Sequence, residues 1–381
     1  MTATPVQRAL DFLAGRPATP PVCLQTYLSL FLEPHRREGL AAVYRELLGG
    51  EAERTLDFDE RVEAELDAWE RAWSVLRRPP AWMPARWSQV SCGQVTRIAQ
   101  RDGRIVAGLD GGALVDVIDA PKGSTTDVWD RRDEGRRLNP ETLAPAWEAQ
   151  SAIDAGATEY ARRALARWGD RYLVCGALGS PFWLAYSSLG FAGLMESLRT
   201  DPDPLAEIID RRARDLCAIV DVWAAAGLSC IFMEETLSSS DLICEADYLR
   251  FSLPTVRDVL QHARDRGLRS VYYYCGGIDR RVEHLATLPA DALAFEESKK
   301  GFVIDLAQVR EVVGPERPLL ANIDAVAIRD GDEAAIRRLV CEQFEAAGPL
   351  LAASCGSPLT LDTEPWKLDA MVEAAEECAG G

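Results

Sequence analysis

Residues 270–277 read Ser270-Val-Tyr-Tyr-Tyr-Cys275-Gly-Gly, an apolar, strand-like run that ends in a cysteine and two glycines. A second run, Leu350-Leu-Ala-Ala-Ser-Cys355-Gly, has the same form. In a barrel of parallel strands, the carboxyl ends of the strands carry the chemistry. The two cysteines are therefore expected at the reactive end of such a barrel, where paired thiols suit a soft metal ion such as zinc.

Similar apolar runs alternate with helical patterns from about residue 170 onward. Helices are predicted over 205–226, 246–263 and 334–346, where apolar residues recur at helical spacing. This alternation predicts right-handed βαβ units and a parallel sheet. With one strand over 21–26 and another in the N-terminal half, the count reaches the eight strands of a (β/α)8 TIM barrel. The six strands predicted in the C-terminal part are 172–175, 230–233, 271–274, 292–295, 319–322 and 350–353.

The chain is interpreted as a single barrel domain over 1–381, in which 166–381 holds the regular β/α repeats and 1–165 is less regular. A helix is predicted over 59–76, ended by Pro79-Pro80. Alternating residues around Asp102-Gly103 predict a β-hairpin near 95–107. The N-terminal part is therefore a helical and β-hairpin elaboration, followed by a polar loop over 120–140; a final helix is predicted from Pro365 to about 377.

Composition narrows the class of protein. The chain has 381 residues, 48% of them hydrophobic, with a net charge of −18 and a pI near 4.7. Such acidity argues against a nucleic-acid or anionic-membrane partner. No long apolar span or export signal appears at the sequence level, which favours a cytoplasmic enzyme with a small-molecule substrate and reduced thiols. Four of the ten cysteines fall inside predicted elements and are expected in the core: Cys175, Cys217, Cys230 and Cys341.

Carboxylates follow two of the predicted strands. Met233 precedes Glu234 and Glu235, and Phe295 precedes Glu296 and Glu297, so each pair should send one side chain to the barrel mouth and the other away. Either Glu296 or Glu297 is a candidate third ligand beside the two cysteines. The bland alternative is that the cysteines are core residues and the glutamates lie on the solvated surface.

Other candidates follow from strand parity and position. Tyr273 shares a face with Cys275 and is either a ligand, a catalytic group or a packing residue. Asn322 and Asp324 follow a predicted strand and are candidate substrate hydrogen-bond partners. Gln25, Phe182 and Trp183 are also predicted to bind the substrate. The aromatic residues Phe182, Trp183 and Tyr186 would suit a methylamine-like cation through cation–π contacts.

The C-terminal two-thirds resembles the uroporphyrinogen decarboxylase superfamily, a group of (β/α)8 barrels that also contains zinc methyltransferases acting with corrinoid proteins. The resemblance rests on an ordered series of segments rather than on one motif. These are Gly179-Ser-Pro-Phe182, Leu198-Arg-Thr-Asp-Pro202, Cys275-Gly276, Asn322-Ile-Asp324, and Cys355-Gly356 followed by Thr363-Glu-Pro365.

Details of the resemblance point to the methyltransferase branch. The decarboxylases carry an arginine-containing segment after the first strand, where this chain reads Gln25-Thr-Tyr-Leu-Ser-Leu, and a His-Gly pair where it has Cys355-Gly356. The methyltransferases carry a His-x-Cys motif at the fifth strand and a second cysteine at the eighth. Cys275 and Cys355 match both cysteines, whereas Tyr273 stands in place of the histidine.

The resemblance implies methyl transfer between a small thiol, ether or amine and a corrinoid, with a zinc ion held by Cys275, Cys355 and Glu296 or Glu297 activating the substrate. None of the three histidines has the surroundings of a corrinoid-binding motif, so a partner protein or free cofactor must supply the corrinoid. Two alternatives stay open. One is a metal-free decarboxylase or lyase that uses Glu234 or Asp324 as its acid, and the other is a binding protein without activity on the same fold.

Overall fold

The computed structural model describes residues 3–85, 95–108, 112–118, 147–299 and 301–378. Its centre is a parallel sheet in which each strand pairs with the next along the chain. The strands of this sheet are β2 (Trp82–Ala85), β6 (Leu173–Gly179), β7 (Cys230–Glu235), β8 (Arg269–Tyr274), β9 (Ala292–Phe295), β10 (Leu319–Leu320) and β11 (Leu351–Ala352).

The segment around Cys23 joins the two edges of this sheet. Leu24 N donates to Ala353 O at 2.9 Å, and Ala81 N donates to Cys23 O at 2.9 Å. This segment therefore fills the eighth position between β11 and β2 and closes the barrel, which confirms the predicted fold class. The strand predicted over 21–26 is reduced to a bridge at Cys23, in keeping with the missing N–H of Pro21.

Predicted and observed strands agree most closely in the middle of the barrel. The prediction over 292–295 coincides with β9, whereas β6 and β7 run on to Gly179 and Glu235. The last two barrel strands are shorter than predicted, at two residues each. The additional N-terminal strand that the count required is β2.

Helices cover the outside of the barrel, and most follow the predicted periods. The predicted helix over 246–263 differs, since its first half is a short helix followed by a π-helical turn, Tyr248–Ser252. The helices are α1 (Pro5–Leu13), α2 (Leu28–Phe31), α3 (Glu33–Leu48), α4 (Phe58–Trp73), α5 (Ala149–Asp154), α6 (Glu159–Trp168), α7 (Pro181–Thr200), α8 (Pro202–Ala226), α9 (Glu245–Asp247), α10 (Leu253–Asp265), α11 (Val282–Ala286), α12 (Leu306–Val313), α13 (Ala325–Asp330), α14 (Glu333–Ala347) and α15 (Pro365–Cys378).

The N-terminal elaboration carries a small antiparallel sheet. Its strands are β1 (Glu53–Thr55), β3 (Arg97–Arg101), β4 (Arg104–Gly108) and β5 (Val115–Asp116). The predicted hairpin is confirmed as β3 and β4, joined by Asp102 and Gly103 with φ of 49° and 78°. Positive φ at both turn residues matches the right-handed twist of the strands. The polar loop predicted over 120–140 lies outside the described residues.

Two layers of apolar side chains hold the barrel together. One fills its interior and includes Leu173, Val271 and Ala292. The other lies between the strands and the helices and includes Ile231 and Met371. Since successive residues of a strand point to opposite faces, the layer that a side chain joins reports which face it occupies. Within the described residues, no helix is long and apolar enough to span a membrane.

A disulfide links helices α14 and α15. Cys341 and Cys378 are bonded, with their Cα atoms 5.4 Å apart. The expectation of reduced thiols throughout is therefore wrong for this pair, as is the core position predicted for Cys341, because its side chain points to the neighbouring helix. The other described cysteines are free.

Candidate active site at the barrel mouth

A cavity of about 320 Å³ opens at the carboxyl ends of β6 and β7. Its wall combines aromatic rings, small residues and one carboxylate. The lining residues are Gln25, Tyr27, Leu28, Ser29, Cys175, Ala177, Leu178, Gly179, Trp183, Phe232 and Glu234. This location agrees with the rule that the reactive end of a parallel barrel is the carboxyl end of its strands.

Glu234 is the carboxylate of the cavity. It lies near the end of β7 with its side chain in the cavity, whereas the next residue, Glu235, is fully buried on the helix side. The prediction that this pair splits between the mouth and the outside is thus confirmed. Burial raises the pKa of the Glu234 carboxyl to about 7, and the charges of Glu235 and Glu296 act in the same direction. A carboxyl with this pKa exchanges protons near neutral pH.

Glu235 is held in place by hydrogen bonds to its side chain. Its carboxylate accepts hydrogen bonds from Ser180 Oγ at 2.6 Å and from Ser252 Oγ at 3.1 Å. The backbone amides of Leu237 and Ser238 donate to its other oxygen. These bonds fasten the end of β7 to α7 and to the π-helical turn, and so hold Glu234 in position.

Tyr27 contacts both Glu234 and Cys275, and the sequence did not single it out. Its hydroxyl is hydrogen-bonded to the Glu234 carboxylate and lies 3.8 Å from Cys275 Sγ. Its backbone φ of 51° is in the left-handed region, which is unfavourable for a bulky side chain. The sequence could have indicated Tyr27 only through its position directly after the first barrel segment. No local sequence pattern predicts its left-handed backbone conformation.

Tyr273 fills the interior of the barrel beneath Tyr27. Its hydroxyl donates to the backbone carbonyl of Gly356, and its ring stacks on Phe232 with centroids 5.8 Å apart. Burial raises the pKa of Tyr273 well above its usual value, with a further contribution from Cys275. The side chain therefore links β8 to the loop after β11, and the raised pKa disfavours a phenolate ligand.

Cys275 faces the barrel interior on the same side of the sheet as Tyr273, and this shared face is what strand parity predicted. It is 9% exposed and belongs to the interior apolar layer. Burial raises the pKa of the Cys275 thiol well above its usual value, and the carboxylates of Glu234 and Glu296 raise it further. The thiol is accordingly protonated at neutral pH unless a cation enters the site.

Cys355 lies on the opposite face of the sheet. It is fully buried in the layer between strands and helices, where its Sγ is 3.8 Å from Met371 Sδ of α15. Its backbone amide donates to Gln25 Oε1 at 3.0 Å. The two thiols are thus in different layers, Cys275 inside the barrel and Cys355 outside it.

The second glutamate pair also divides. Glu296 accepts a hydrogen bond from Gly276 N at 2.8 Å and forms an ion pair with Lys299. Glu297 is buried, and its Oε2 has no hydrogen-bond partner among the described residues. Gly356 packs so closely on this pair that a Cβ there would lie 2.2 Å from Glu297 N. The charge of Glu296 contributes to the raised pKa of the Cys275 thiol, whereas the charge of Glu297 contributes to the raised pKa of the Cys355 thiol.

These positions do not fit the zinc centre that the sequence predicted. A zinc site needs its ligands around one point, whereas the two thiols lie on opposite faces of the sheet. Within the described part of the chain, no group of three or more His, Cys, Asp or Glu residues is arranged to hold a metal ion. The physical reason is the phase of the last strand, which turns Cys355 towards the helices.

The remaining candidates fall into three groups. Gln25 and Trp183 line the cavity, and the indole of Trp183 lies so close to Gly179 that a Cβ there would be 2.2 Å from its Cε3. Phe182 is 0% exposed in the helix layer, so its predicted substrate contact is wrong. The same applies to Tyr186, which is buried in that layer.

The two candidates after β10 have backbone partners. The Asn322 carboxamide donates to the carbonyls of Glu296, at 3.1 Å, and Ile304, at 3.3 Å, and so anchors the loop after β9. Asp324 is exposed and caps α13 by accepting from Val326 N at 2.7 Å. Neither residue lines this cavity, and their roles in catalysis and substrate binding stay predictions.

Comparisons with known proteins agree with this fold. A sequence model of the family "Uroporphyrinogen decarboxylase (URO-D)" matches residues 143–378. A methylated-thiol–coenzyme M methyltransferase of Methanosarcina mazei is 22% identical over 187 residues, 48% of this chain and 48% of that protein. A uroporphyrinogen decarboxylase of Paraburkholderia phytofirmans is 27% identical over 164 residues, 41% of this chain and 43% of that protein.

The chain thus spans about half the length, or less, of the curated relatives it matches. Among solved structures, a methyltransferase from Methanosarcina mazei superimposes with a TM-score of 0.62 at 16% identity, covering 98% of both chains. This likeness shows a shared fold over the whole chain. Because the family match covers most of the chain, including β6 to β11 and the helices between them, the chain belongs to the uroporphyrinogen decarboxylase family.

Proposed function

We propose that the chain is a methyltransferase that moves a methyl group between a small substrate in the mouth cavity and a corrinoid supplied by a separate protein or as free cofactor. The observation that carries this choice is the lining of the cavity, in which the described residues supply the Glu234 carboxylate and no arginine or lysine. A porphyrinogen has many carboxylates, and a site of this charge repels it. The match to a methylated-thiol–coenzyme M methyltransferase supports the same choice.

Glu234 supplies the proton exchange that methyl transfer to or from a thiol needs. When a bound thiol is methylated, its proton passes to the Glu234 carboxylate and a sulfur lone pair forms the new carbon–sulfur bond. The methyl carbon's bond to its donor breaks, and the electron pair of that bond stays on the donor. In the reverse direction, the electron pair of the carbon–sulfur bond stays on sulfur, which takes the proton back. A pKa of about 7 suits both directions, because each protonation state is populated at neutral pH.

The neighbouring residues position this carboxyl. The Tyr27 hydroxyl holds it by a hydrogen bond, while Glu235 fixes the strand end beneath it. The corrinoid, when bound, provides the methyl donor or acceptor, and no residue of the described chain replaces it in that role. The described geometry does not fit a Cys, Cys, Glu zinc centre, because the two thiols lie in different layers, and the proton transfer is assigned to Glu234.

The test follows methylcobalamin demethylation anaerobically, by absorbance, with a panel of small thiols. We expect turnover by the wild type and a decrease in kcat of about 100-fold or more in Glu234→Gln, the usual size of a lost proton-transfer group. Glu342→Gln is the matched control, because Glu342 is exposed on α14. The proposal is wrong if no thiol is methylated.

A metal-free decarboxylase or lyase is the second candidate. The protonated form of Glu234 favours it, because a carboxyl with a pKa of about 7 can protonate the carbanion that loss of CO₂ leaves behind. Carbon dioxide release from a panel of small carboxylates, measured in the same preparation, separates the two functions. Release that disappears in Glu234→Gln, without demethylation of methylcobalamin, would select the lyase.

A further inference from the structure

The charge balance around Glu234 is incomplete. The groups that act on its carboxyl are Tyr27, Glu235 and Glu296, and none of them is a cation. The neighbouring Lys299 is already paired, since its Nζ forms an ion pair with Glu296 and lies 3.8 Å from Glu297 Oε1. Among the described residues, the cavity therefore presents one carboxylate without a counter-ion.

Aromatic rings form the wall around this carboxylate. Tyr27 stands nearly perpendicular to Phe232, at 78° with centroids 6.3 Å apart, so the two rings border the cavity in different planes. The Trp183 indole also lines the cavity and lies against Gly179 at the end of β6. Aromatic faces around one negative charge are the usual recognition device for methylated cations, which have no N–H to donate.

The carboxamide of the cavity is already engaged by backbone groups. Gln25 donates to Thr26 O at 2.9 Å and accepts from Cys355 N, on the segment after β11, at 3.0 Å. A cavity of about 320 Å³ is at the small end of the range for ligand pockets. Its size, charge and aromatic wall favour a compact cation over a neutral or anionic molecule.

We propose that the mouth cavity binds a small methylated cation, a quaternary ammonium or a sulfonium, between the Glu234 carboxylate and the rings of Tyr27, Phe232 and Trp183. The inference rests on the proposed function, in which such a cation is the methyl donor. Loss of a methyl group as CH₃⁺ to the corrinoid leaves the bond's electron pair on nitrogen or sulfur, and the product departs as a neutral amine or thioether. This leaving group needs no proton.

Isothermal titration calorimetry tests binding separately from catalysis. The probes are choline, tetramethylammonium and trimethylsulfonium, with 3,3-dimethylbutan-1-ol as the neutral isostere of choline. We expect the isostere to bind at least tenfold more weakly than choline, and Glu234→Gln to weaken choline binding at least tenfold. Phe232→Leu should weaken it about tenfold through loss of the ring face. Glu342→Gln should bind choline as the wild type does.

The pH dependence adds a second readout. Glu234 faces Tyr27 and Cys275 and lies near the charges of Glu235 and Glu296. With its pKa at about 7, roughly nine-tenths of this carboxyl is ionised at pH 8 and only a few per cent at pH 5.5. Choline binding should therefore be weaker at pH 5.5 than at pH 8, by up to about 30-fold if the neutral form does not bind, and this difference should vanish in Glu234→Gln.

The outcomes separate the inference from the proposed function. Equal binding of choline and its isostere, no effect of Glu234→Gln, or no cation binding at millimolar concentration would each overturn the cation site. Methyl transfer from tetramethylammonium to cob(I)alamin is then measured alone. Charge-dependent binding, with neither this transfer nor methylation of any thiol, keeps the site and rejects the proposed function. Methylation of thiols without cation binding does the reverse.

Discussion

Replacing Glu234 with glutamine should stabilise the protein, and the gain should grow with pH. The pKa of this carboxyl is 4.5 in its ordinary state and about 7 in the folded chain, because burial disfavours the charged form. A carboxyl with a raised pKa favours folding while it is protonated. This contribution is present at low pH and is lost as the pH rises from the unfolded value towards the folded one.

The size of the effect follows from the shift. A rise of about 2.5 pH units corresponds to about 3 kcal/mol between full protonation and full ionisation. Glu234 is partly accessible through the cavity, so solvent screening reduces this figure. Between pH 5 and pH 8 the free energy of unfolding of Glu234→Gln should rise by about 2 kcal/mol relative to the wild type. Glutamine retains an oxygen that accepts from Tyr27, so the hydrogen bond is kept.

Urea unfolding, followed by tryptophan fluorescence at several pH values, measures this difference. Two controls bracket it. Glu342→Gln, on the surface of α14, should show no pH-dependent gain, and Glu235→Ala should lose stability at every pH because it leaves buried donors without an acceptor. If the difference between Glu234→Gln and wild type is the same at pH 5 and pH 8, Glu234 does not carry the buried charge assigned to it.

Three further outcomes are expected. Tyr27→Phe removes the hydrogen bond that stabilises ionised Glu234, so the acidic limb of the pH–rate profile should move to higher pH by about one unit. An acidic limb at the same pH in both proteins would contradict the contact between Tyr27 and Glu234. Zinc measured by mass spectrometry after anaerobic purification should be well below one ion per chain, because Cys275 and Cys355 lie in different layers. One zinc ion per chain that is lost when either cysteine is replaced by serine would show that the two thiols share a metal site. Cys341→Ser opens a disulfide that joins positions 37 residues apart, and unfolding should become easier by about 3 to 4 kcal/mol, a change that reductant should reproduce in the wild type but not in the variant.

The barrel was predictable because its strands are short apolar runs at regular intervals between amphipathic helices. The strand predicted over 292–295 matches β9 in full, and the hairpin at Asp102-Gly103 follows from local turn chemistry. The first barrel segment was harder to place. It pairs at Cys23 alone, so its closure of the barrel depends on contacts with Ala81 and Ala353, which are distant in the chain.

The site was predictable only in part, because the phase of a buried strand is hidden in its sequence. Both faces of a parallel barrel strand are apolar, so the run from Leu350 to Ser354 does not reveal which residues point inward. The structure places Leu350 and Ala352 in the interior, and the same alternation sends Cys355 outward. For the run that contains Cys275, the assumed phase was the right one. Tyr27 was missed for a different reason, since its left-handed backbone and its contact with Glu234 are tertiary features.

Tyr273 explains how the mouth holds together with this arrangement. A zinc ion bound by Cys275 and Cys355 would connect the end of β8 to the end of β11, although β9 and β10 separate these strands in the sheet. The Tyr273 hydroxyl makes that connection directly, by donating to the carbonyl of Gly356. With the Tyr273 hydroxyl bonded to Gly356, Cys355 packs against Met371 and Cys275 lies next to Tyr27, beside the cavity. The tyrosine at position 273 and the outward turn of Cys355 thus fit one arrangement, in which a protein side chain joins the strand ends and Glu234 has no cationic partner among the described residues of the cavity wall.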